Sequence, residues 1–168
     1  MSATEDRKPV TLSIVVPVHN EARNLDALLE RLNAVLEKIG EPHEIILVDD
    51  GSTDSSPEEL ARHHLADSRI KVIEFSRNFG KEVALTAGLQ RAAGQAVITI
   101  DADLQHPPET IVEFVDQWRA GNEVVYGIKS KRQGESIARR IYSRIYFSIF
   151  NTVADIKLPH SPSDFCLL

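Results

Sequence analysis

The sequence predicts an α/β fold, a mainly parallel β-sheet with helices on both faces. Three observations carry this reading. Short apolar runs alternate with helical patterns along the chain. Those runs are continuously apolar and rich in β-branched residues, as strands covered on both faces are. Polar residues collect just after each of the first four runs, in "PVHNE", "DDGSTD", "SRNFG" and "DADLQ". That is the sheet edge at which open α/β sheets bind ligands.

The elements follow in order. "LSIVVPV" (12–18) reads as a buried strand. Leu25, Leu28, Leu29, Leu32, Val35, Leu36 and Ile39 then recur at helical spacing and stop at Gly40. "EIILVDD" (44–50) is a second strand. "SPEEL" opens the next helix, with Ser56 as cap, Pro57 at the first position and Glu59 completing a capping box. "IKVIEF" (70–75) is a third strand, residues 81–93 are helical up to Gly94, and "AVITI" (96–100) is a fourth strand. Pro107 or Pro108 starts a helix carrying Ile111, Val112, Phe114, Val115 and Trp118, and "EVVYG" (123–127) is a fifth strand.

The 168 residues fit one domain, with residues 1–10 as a polar tail and 11–168 as the folded unit. A composition 42% hydrophobic and 26% charged is that of a globular protein. The single cysteine, Cys166, excludes an internal disulfide framework and fits a reducing compartment. No apolar run approaches the roughly 18 residues of a membrane span, and the polar start lacks a secretory signal. The chain therefore reads as cytosolic. The net charge of −6 hides a basic segment, in which Lys129, Lys131, Arg132, Arg139, Arg140 and Arg144 face Glu135 alone. A local basic patch on an acidic chain points to an anionic partner, or to an ordinary solvated helix face.

"TIDADLQHPPE" (99–109) carries the chemistry. Asp101 and Asp103 follow a buried strand, and two nearby carboxylates disfavour joint ionisation unless a cation joins them. Their oxygens and that of Gln105 suit Mg²⁺ or Mn²⁺, whose shell phosphates commonly complete. Asp50 in "VDDGSTD" follows the second strand, where a carboxylate holds a ribose or base edge, or belongs to a turn that caps the next helix. Neither G-x-G-x-x-G nor G-x-x-x-x-G-K-[ST] occurs, so dinucleotide and P-loop enzymes are unsupported. A D-x-D phosphatase is disfavoured as well, because Asp101 follows the fourth strand rather than the first.

Five strings in this order, "SIVVPVHNE", "ILVDDGSTD", "FSRNFGKEVALTAGL", "IDADLQHPPE" and "RQGES", resemble the inverting family 2 glycosyltransferases. Those enzymes have the GT-A fold, a Rossmann-like sheet. Within them the likeness is to the polyprenyl-phosphate glycosyltransferases, and it runs from Leu12 to Leu168. The resemblance implies that Pro17, Glu21, Val48 and Asp50 hold the nucleotide, with His19 where the family usually has tyrosine. It implies that Asp101, Ala102 and Asp103 meet the sugar diphosphate, with Asp101, Asp103 and Gln105 as ligands of Mg²⁺ or Mn²⁺. Lys129 matches an arginine after strand five, and Lys131 and Arg132 are further phosphate contacts. In "SPSDFCLL", Asp164 matches the catalytic aspartate of a G-D-F-R-L segment, while Ser163 and Cys166 replace its glycine and arginine. The family also continues beyond the equivalent of Leu168, usually into two membrane helices.

The implied reaction moves a sugar from a nucleotide-diphosphate sugar to a polyprenyl phosphate at the cytoplasmic membrane face. An acceptor phosphate is already ionised at neutral pH, so Asp164 would orient or polarise rather than remove a proton, and Asp103 joins it in the catalytic set. In "SIARRIYSRIYFSIF", Ile137, Ile141, Ile145 and Ile149 oppose Arg139, Arg140 and Arg144, a pattern that suits a helix on an anionic membrane surface or one packed on the sheet. A second copy of the chain is a further expected partner, and nucleic acid is not expected. Two readings stay open beside this one: a saccharide or protein hydroxyl acceptor, and a nucleotide-binding module without activity.

Overall fold

The computed structural model of the chain describes residues 10–127 and 165–168. Its elements are β1 (Leu12–Val18), α1 (Ala22–Ile39), β2 (His43–Asp49), α2 (Ser56–Ala66), β3 (Ile70–Glu74), α3 (Lys81–Arg91), β4 (Ala96–Thr99), a 3-10 turn (Pro108–Thr110), α4 (Ile111–Arg119), β5 (Val125–Tyr126) and β6 (Cys166–Leu167). The sheet order is β3-β2-β1-β4-β6-β5. Strands β1 to β4 pair in parallel, and β6 runs antiparallel to both β4 and β5. The expected α/β class and mainly parallel sheet are therefore present.

Alternation along the strands sorts the core into two faces. Leu12, Ile14, Val16 and Val18 of β1, with Ile45, Leu47 and Ile98, bury against the leucine stripe of α1, Leu60 of α2, and Ile111, Phe114 and Val115 of α4. Val15, Ile46 and Val48 face the other way, against Ala84 of α3. Helix α3 sits close because Gly88 has no side chain. A Cβ there would stand 2.3 Å from Val15 Cγ1 and 3.3 Å from Val48 Cγ2.

Several local expectations change. Ser55, not Ser56, precedes α2 as its N-cap, and its side chain makes no capping hydrogen bond. Ser56 is fully buried and accepts the Glu21 N–H at 3.0 Å, so its hydroxyl joins two loops instead. Glu59 bonds to Arg62 rather than closing a capping box. The fifth strand shortens to Val125–Tyr126, and the sequence reading did not anticipate β6.

The topology fixes where a ligand sits. Connections after β1 step outward through β2 and β3, then return to place β4 on the other side of β1. A switch of this kind opens a crevice beyond the carboxyl ends of the two central strands. Val15 pairs with Thr99, so continuing the register brings Asp101 level with Pro17.

Candidate functional site

A cleft of about 340 Å³ lies at that switch, within the roughly 300–1,000 Å³ of small-molecule sites. Pro17, Val18, His19 and Glu21 line it from the end of β1 and the loop after it, Asp50 from just past β2, Asn78, Gly80 and Lys81 from the β3–α3 connection and the first residue of α3, and Asp101, Ala102 and Asp103 from the loop after β4. Seven residues named from the sequence thus meet in one place: Pro17, His19, Glu21, Asp50, Asp101, Ala102 and Asp103.

Asp50 has a structural task at the cleft wall. It is only 3% exposed, and its two oxygens accept the N–H groups of Phe79 at 2.7 Å and Gly80 at 2.9 Å. The loop before α3 is thereby strapped to the end of β2. Gly51 permits this approach. A Cβ there would lie 2.3 Å from the Arg77 carbonyl carbon, and its φ of +64° disfavours a side chain anyway. The rest of "VDDGSTD" is turn chemistry. Asp49 accepts the N–H and hydroxyl of Ser52. Asp54 accepts the N–H of Ala22 at 3.3 Å and of Ser56 at 2.9 Å, the first residues of α1 and α2. Desolvation pushes the Asp54 carboxyl up, and hydrogen bonds from the Ser56 side chain and from the backbone of Ser56 and Ala22 outweigh it and hold it below the usual carboxylate range.

His19 is oriented from both ring nitrogens. Nδ1 lies 2.9 Å from the Asp50 carbonyl, which can only accept, so Nδ1 carries a proton. Nε2 then accepts from the side-chain amide of Asn78 at 3.1 Å, with the Asn20 amide at 3.3 Å. Asn20 cannot reverse its amide, because Oδ1 already accepts the N–H groups of Thr53 at 2.7 Å and Asp54 at 3.2 Å. Glu21 accepts from the Asn24 side chain at 2.6 Å.

Across the cleft, Asp101 Oδ1 pairs with Lys81 Nζ at 2.6 Å. Asp103 accepts the Gln105 N–H at 2.9 Å, a turn that puts Leu104 at φ +59°. Leu104 also packs against the main core, which anchors this left-handed residue. The pair of carboxylates is a donor set that fits Mg²⁺ or Mn²⁺. A positive ammonium already drawn to one of them is consistent with that fit.

Two expected site residues stand elsewhere. Val48 is fully buried in the α3-side core, and its side chain is not part of the cleft wall. Gln105 is exposed and does not line the cleft; its backbone N–H, rather than its side chain, holds Asp103. Lys129, Lys131, Arg132, Arg139, Arg140, Arg144 and Asp164 lie outside the described residues. Asn78, Gly80 and Lys81 enter the site unannounced, although they belong to the "SRNFGK" string. Among the described residues, Asp26, Glu59 and His63 also come within metal-binding reach of one another. None of them lines the cleft, and Arg62 already bridges Asp26 and Glu59.

Comparison with known proteins gives this site a context. The chain is 42% identical over 159 residues to the uncharacterized glycosyltransferase YkcC of Bacillus subtilis, covering 95% of this chain and 49% of that protein. It is 44% identical over 134 residues to the undecaprenyl-phosphate 4-deoxy-4-formamido-L-arabinose transferase of Pectobacterium atrosepticum, covering 79% and 41% respectively. The chain thus spans about half the length of the curated relatives it matches. Among solved structures, a mannosyltransferase of Pyrobaculum calidifontis in complex with GDP-Man and Mn²⁺ superposes with a TM-score of 0.59 at 25% identity, covering 74% of this chain and 39% of that one. The fold is the GT-A fold. The model of glycosyl transferase family 2 matches residues 13–168, from the second residue of β1 to the last residue of the chain, and the chain belongs to that family.

Proposed function

We propose that this chain is the donor-binding domain of a glycosyltransferase that moves a sugar from a nucleoside-diphosphate sugar to a polyprenyl phosphate at the cytoplasmic membrane face. The observation that carries the reading is the cleft at the β1/β4 switch, where Glu21, Asp50, Asp101 and Asp103 line one wall system with His19 and Lys81. Pro17, His19, Glu21 and the Asp50 edge form the side toward the nucleoside. Asp101 and Asp103 form the side toward the diphosphate, where they would hold Mg²⁺ or Mn²⁺. A cation bound there neutralises charge on the departing diphosphate. The polyprenyl phosphate is supported by the relatives named undecaprenyl-phosphate 4-deoxy-4-formamido-L-arabinose transferases. Asp164 and the basic residues of 129–144 belong to the acceptor side in this reading, on the strength of the sequence resemblance.

Calorimetry with UDP and GDP, in Mn²⁺ and in chelator, tests the donor half. One nucleotide should bind, and more tightly with Mn²⁺. Asp103→Asn should remove the Mn²⁺-dependent part without lowering the melting temperature by more than a few degrees, because Asp103 is not a core residue. Equal affinity in Mn²⁺ and chelator would remove the metal from the reading. No binding of either nucleotide would remove the donor site. For the acceptor half, a short-chain polyprenyl phosphate and a free saccharide are offered with a panel of nucleotide sugars to the chain within its complete protein. Transfer to the saccharide alone would overturn the lipid acceptor.

A further inference from the structure

His19 stands on the cleft wall with both ring nitrogens engaged. Nδ1 faces the Asp50 carbonyl at 2.9 Å, which fixes the proton there and leaves Nε2 as an acceptor. The side-chain amides of Asn78 and Asn20 meet Nε2 at 3.1 and 3.3 Å. These partners come from three loops. Asn20 follows β1, Asp50 follows β2, and Asn78 belongs to the β3–α3 connection. Each is held in turn. Asn20 has φ +57°, a left-handed conformation that asparagine adopts more readily than most residues. Its N–H donates to the Ser52 hydroxyl at 2.9 Å, and its Oδ1 is committed to the N–H groups of Thr53 and Asp54. Asn78 is placed by the Asp50 carboxylate, which binds the next two backbone N–H groups, those of Phe79 and Gly80.

We propose that Asn78 is a positioning residue that locks the His19 imidazole, and that His19 serves the nucleotide with the face of its ring rather than with a nitrogen. The inference rests on the reading that the cleft binds a nucleoside diphosphate. An imidazole edge with both nitrogens bonded has no donor or acceptor left for a base or a ribose. What remains is the π-face, and every nucleobase has a face to set against it. Stacking needs the ring at one angle, whereas the second torsion of an exposed histidine is broad. Asn78 removes that freedom before the ligand arrives, which lowers the ordering cost of binding. The Asp50 strap supplies the other half of the lock, because it brings Asn78 across to a ring that grows from a different loop.

The test separates ring from nitrogen. Calorimetry with UDP and with GDP, in Mn²⁺, compares the full 168-residue chain as wild type, His19→Gln, His19→Phe, Asn78→Ala and the double variant Asn78→Ala with His19→Phe. His19→Gln keeps polar atoms and loses the ring, and should bind about tenfold more weakly, within the range of one lost base stack. His19→Phe keeps a ring and loses the nitrogens, and should recover the greater part of that loss; His19→Tyr gives the same reading if His19→Phe melts early. Asn78→Ala should weaken binding by about fivefold, the range of one hydrogen bond. It should have no further effect in His19→Phe, where no ring nitrogen is left to hold. A role of Asn78 in loop stability alone would persist in that background. Nitrogen NMR of isotope-labelled histidines should show His19 as the Nδ1–H tautomer, its signals identified by their absence in His19→Phe. Suppose wild type binds a nucleotide, but His19→Gln binds it better than His19→Phe, or Asn78→Ala weakens both backgrounds equally. Then the ring-face lock falls and the donor site stands. A tautomer with its proton on Nε2 overturns the lock as well. If wild type binds neither nucleotide, the donor reading falls and takes this inference with it.

Discussion

Glu44 is a charged group buried for the fold rather than for the cleft. It sits near the start of β2, 2% exposed, and accepts from the Ser13 hydroxyl at 2.6 Å and the Ala93 N–H at 2.8 Å, with Lys71 paired to its other oxygen. Burial pushes its carboxyl up, but the hydrogen bonds from Lys71, Ser13 and Ala93 outweigh this and leave it below the usual carboxylate range. A carboxyl depressed in the folded state contributes stability that is full above its unfolded value, and the contribution is lost as pH falls through the folded one. Wild type should therefore lose melting temperature below about pH 4.5, where an unfolded glutamate titrates. Glu44→Gln should be less stable at pH 7 by roughly 1–3 kcal/mol and show a flatter decline in acid. Parallel acid melts of the two proteins would refute this. Asp50 carries a second expectation, because its oxygens hold two backbone N–H groups of the loop that delivers Lys81. Asp50→Ala should cost about 1–3 kcal/mol for the orphaned donors and weaken UDP or GDP binding, while Asp50→Asn, keeping one acceptor oxygen, should lose less of both. Equal nucleotide affinity in all three proteins would confine Asp50 to stability. These residues differ in how far the sequence exposed them. The place of Asp101 and Asp103 in the cleft was readable because both follow a buried strand at the ligand-binding edge of such a sheet. Lys81 was not, since a lysine opening a helix looks like any solvated residue until Asp50 and Gly51 show where its loop lies.

Helix α3 tests how well packing and propensity can be separated. Only Ala84 and Gly88 of its eleven residues are buried, yet it is the described helix that covers the Val15, Ile46 and Val48 face. Alanine at position 88 would favour the helix by about 1 kcal/mol. It would also drive a methyl group to within 2.3 Å of the fully buried Val15, and overpacking of that kind costs typically 1–3 kcal/mol. Packing should win, with Gly88→Ala less stable by about 1 kcal/mol in urea denaturation; a stabilised variant would mean that α3 rides further from the sheet. The strands β1 to β4 were legible because each is a continuous apolar run, and α1 because its leucines mark a single stripe. Ser56 misled because the S-x-x-E pattern is local, whereas its hydroxyl is claimed by Glu21 from another loop. Strand β6 had no signal of its own. Two residues are too few for periodicity, and their strand character comes from partners more than thirty residues away in the chain.

Those partners make the last four residues a joint between distant parts of the chain. Strand β6 stands between β4 and β5, and among the described residues it is the neighbour of β5 in the sheet. Leu168 exchanges both backbone hydrogen bonds with Val97 at 2.9 Å, and Gly127 donates to the Phe165 carbonyl at 3.1 Å. The last hydrogen bond joins the two described residues on either side of positions 128–164, the part of the sequence with the basic residues and Asp164. Phe165 and Leu167 are the buried side chains of this joint, and Phe165 is the larger. It is 3% exposed, its ring centroid lies 4.7 Å from Phe114 of α4 and 5.2 Å from His106, and it belongs to the same core as Ile98 and Ile111. The strand after which the D-x-D carboxylates follow is thus flanked on one side by a segment seated by Phe165 and Leu167 in the core and by its backbone pairing. Phe165→Ala should cost about 3–5 kcal/mol, as large aromatic truncations in cores do. The damage should be local first, because β1, β2 and β3 pair without any help from β6. Hydrogen exchange below the melting temperature should show the amides of Val97, Gly127 and Leu168 losing protection while those of Ile45 to Val48 keep theirs. Phe165→Leu, which refills most of the volume, should restore protection at Gly127 in large part. Uniform loss of protection across both groups would mean that β6 is part of one cooperative core rather than a separable joint. Unchanged protection in Phe165→Ala would show instead that the backbone pairing of β6 holds it on the sheet without the ring.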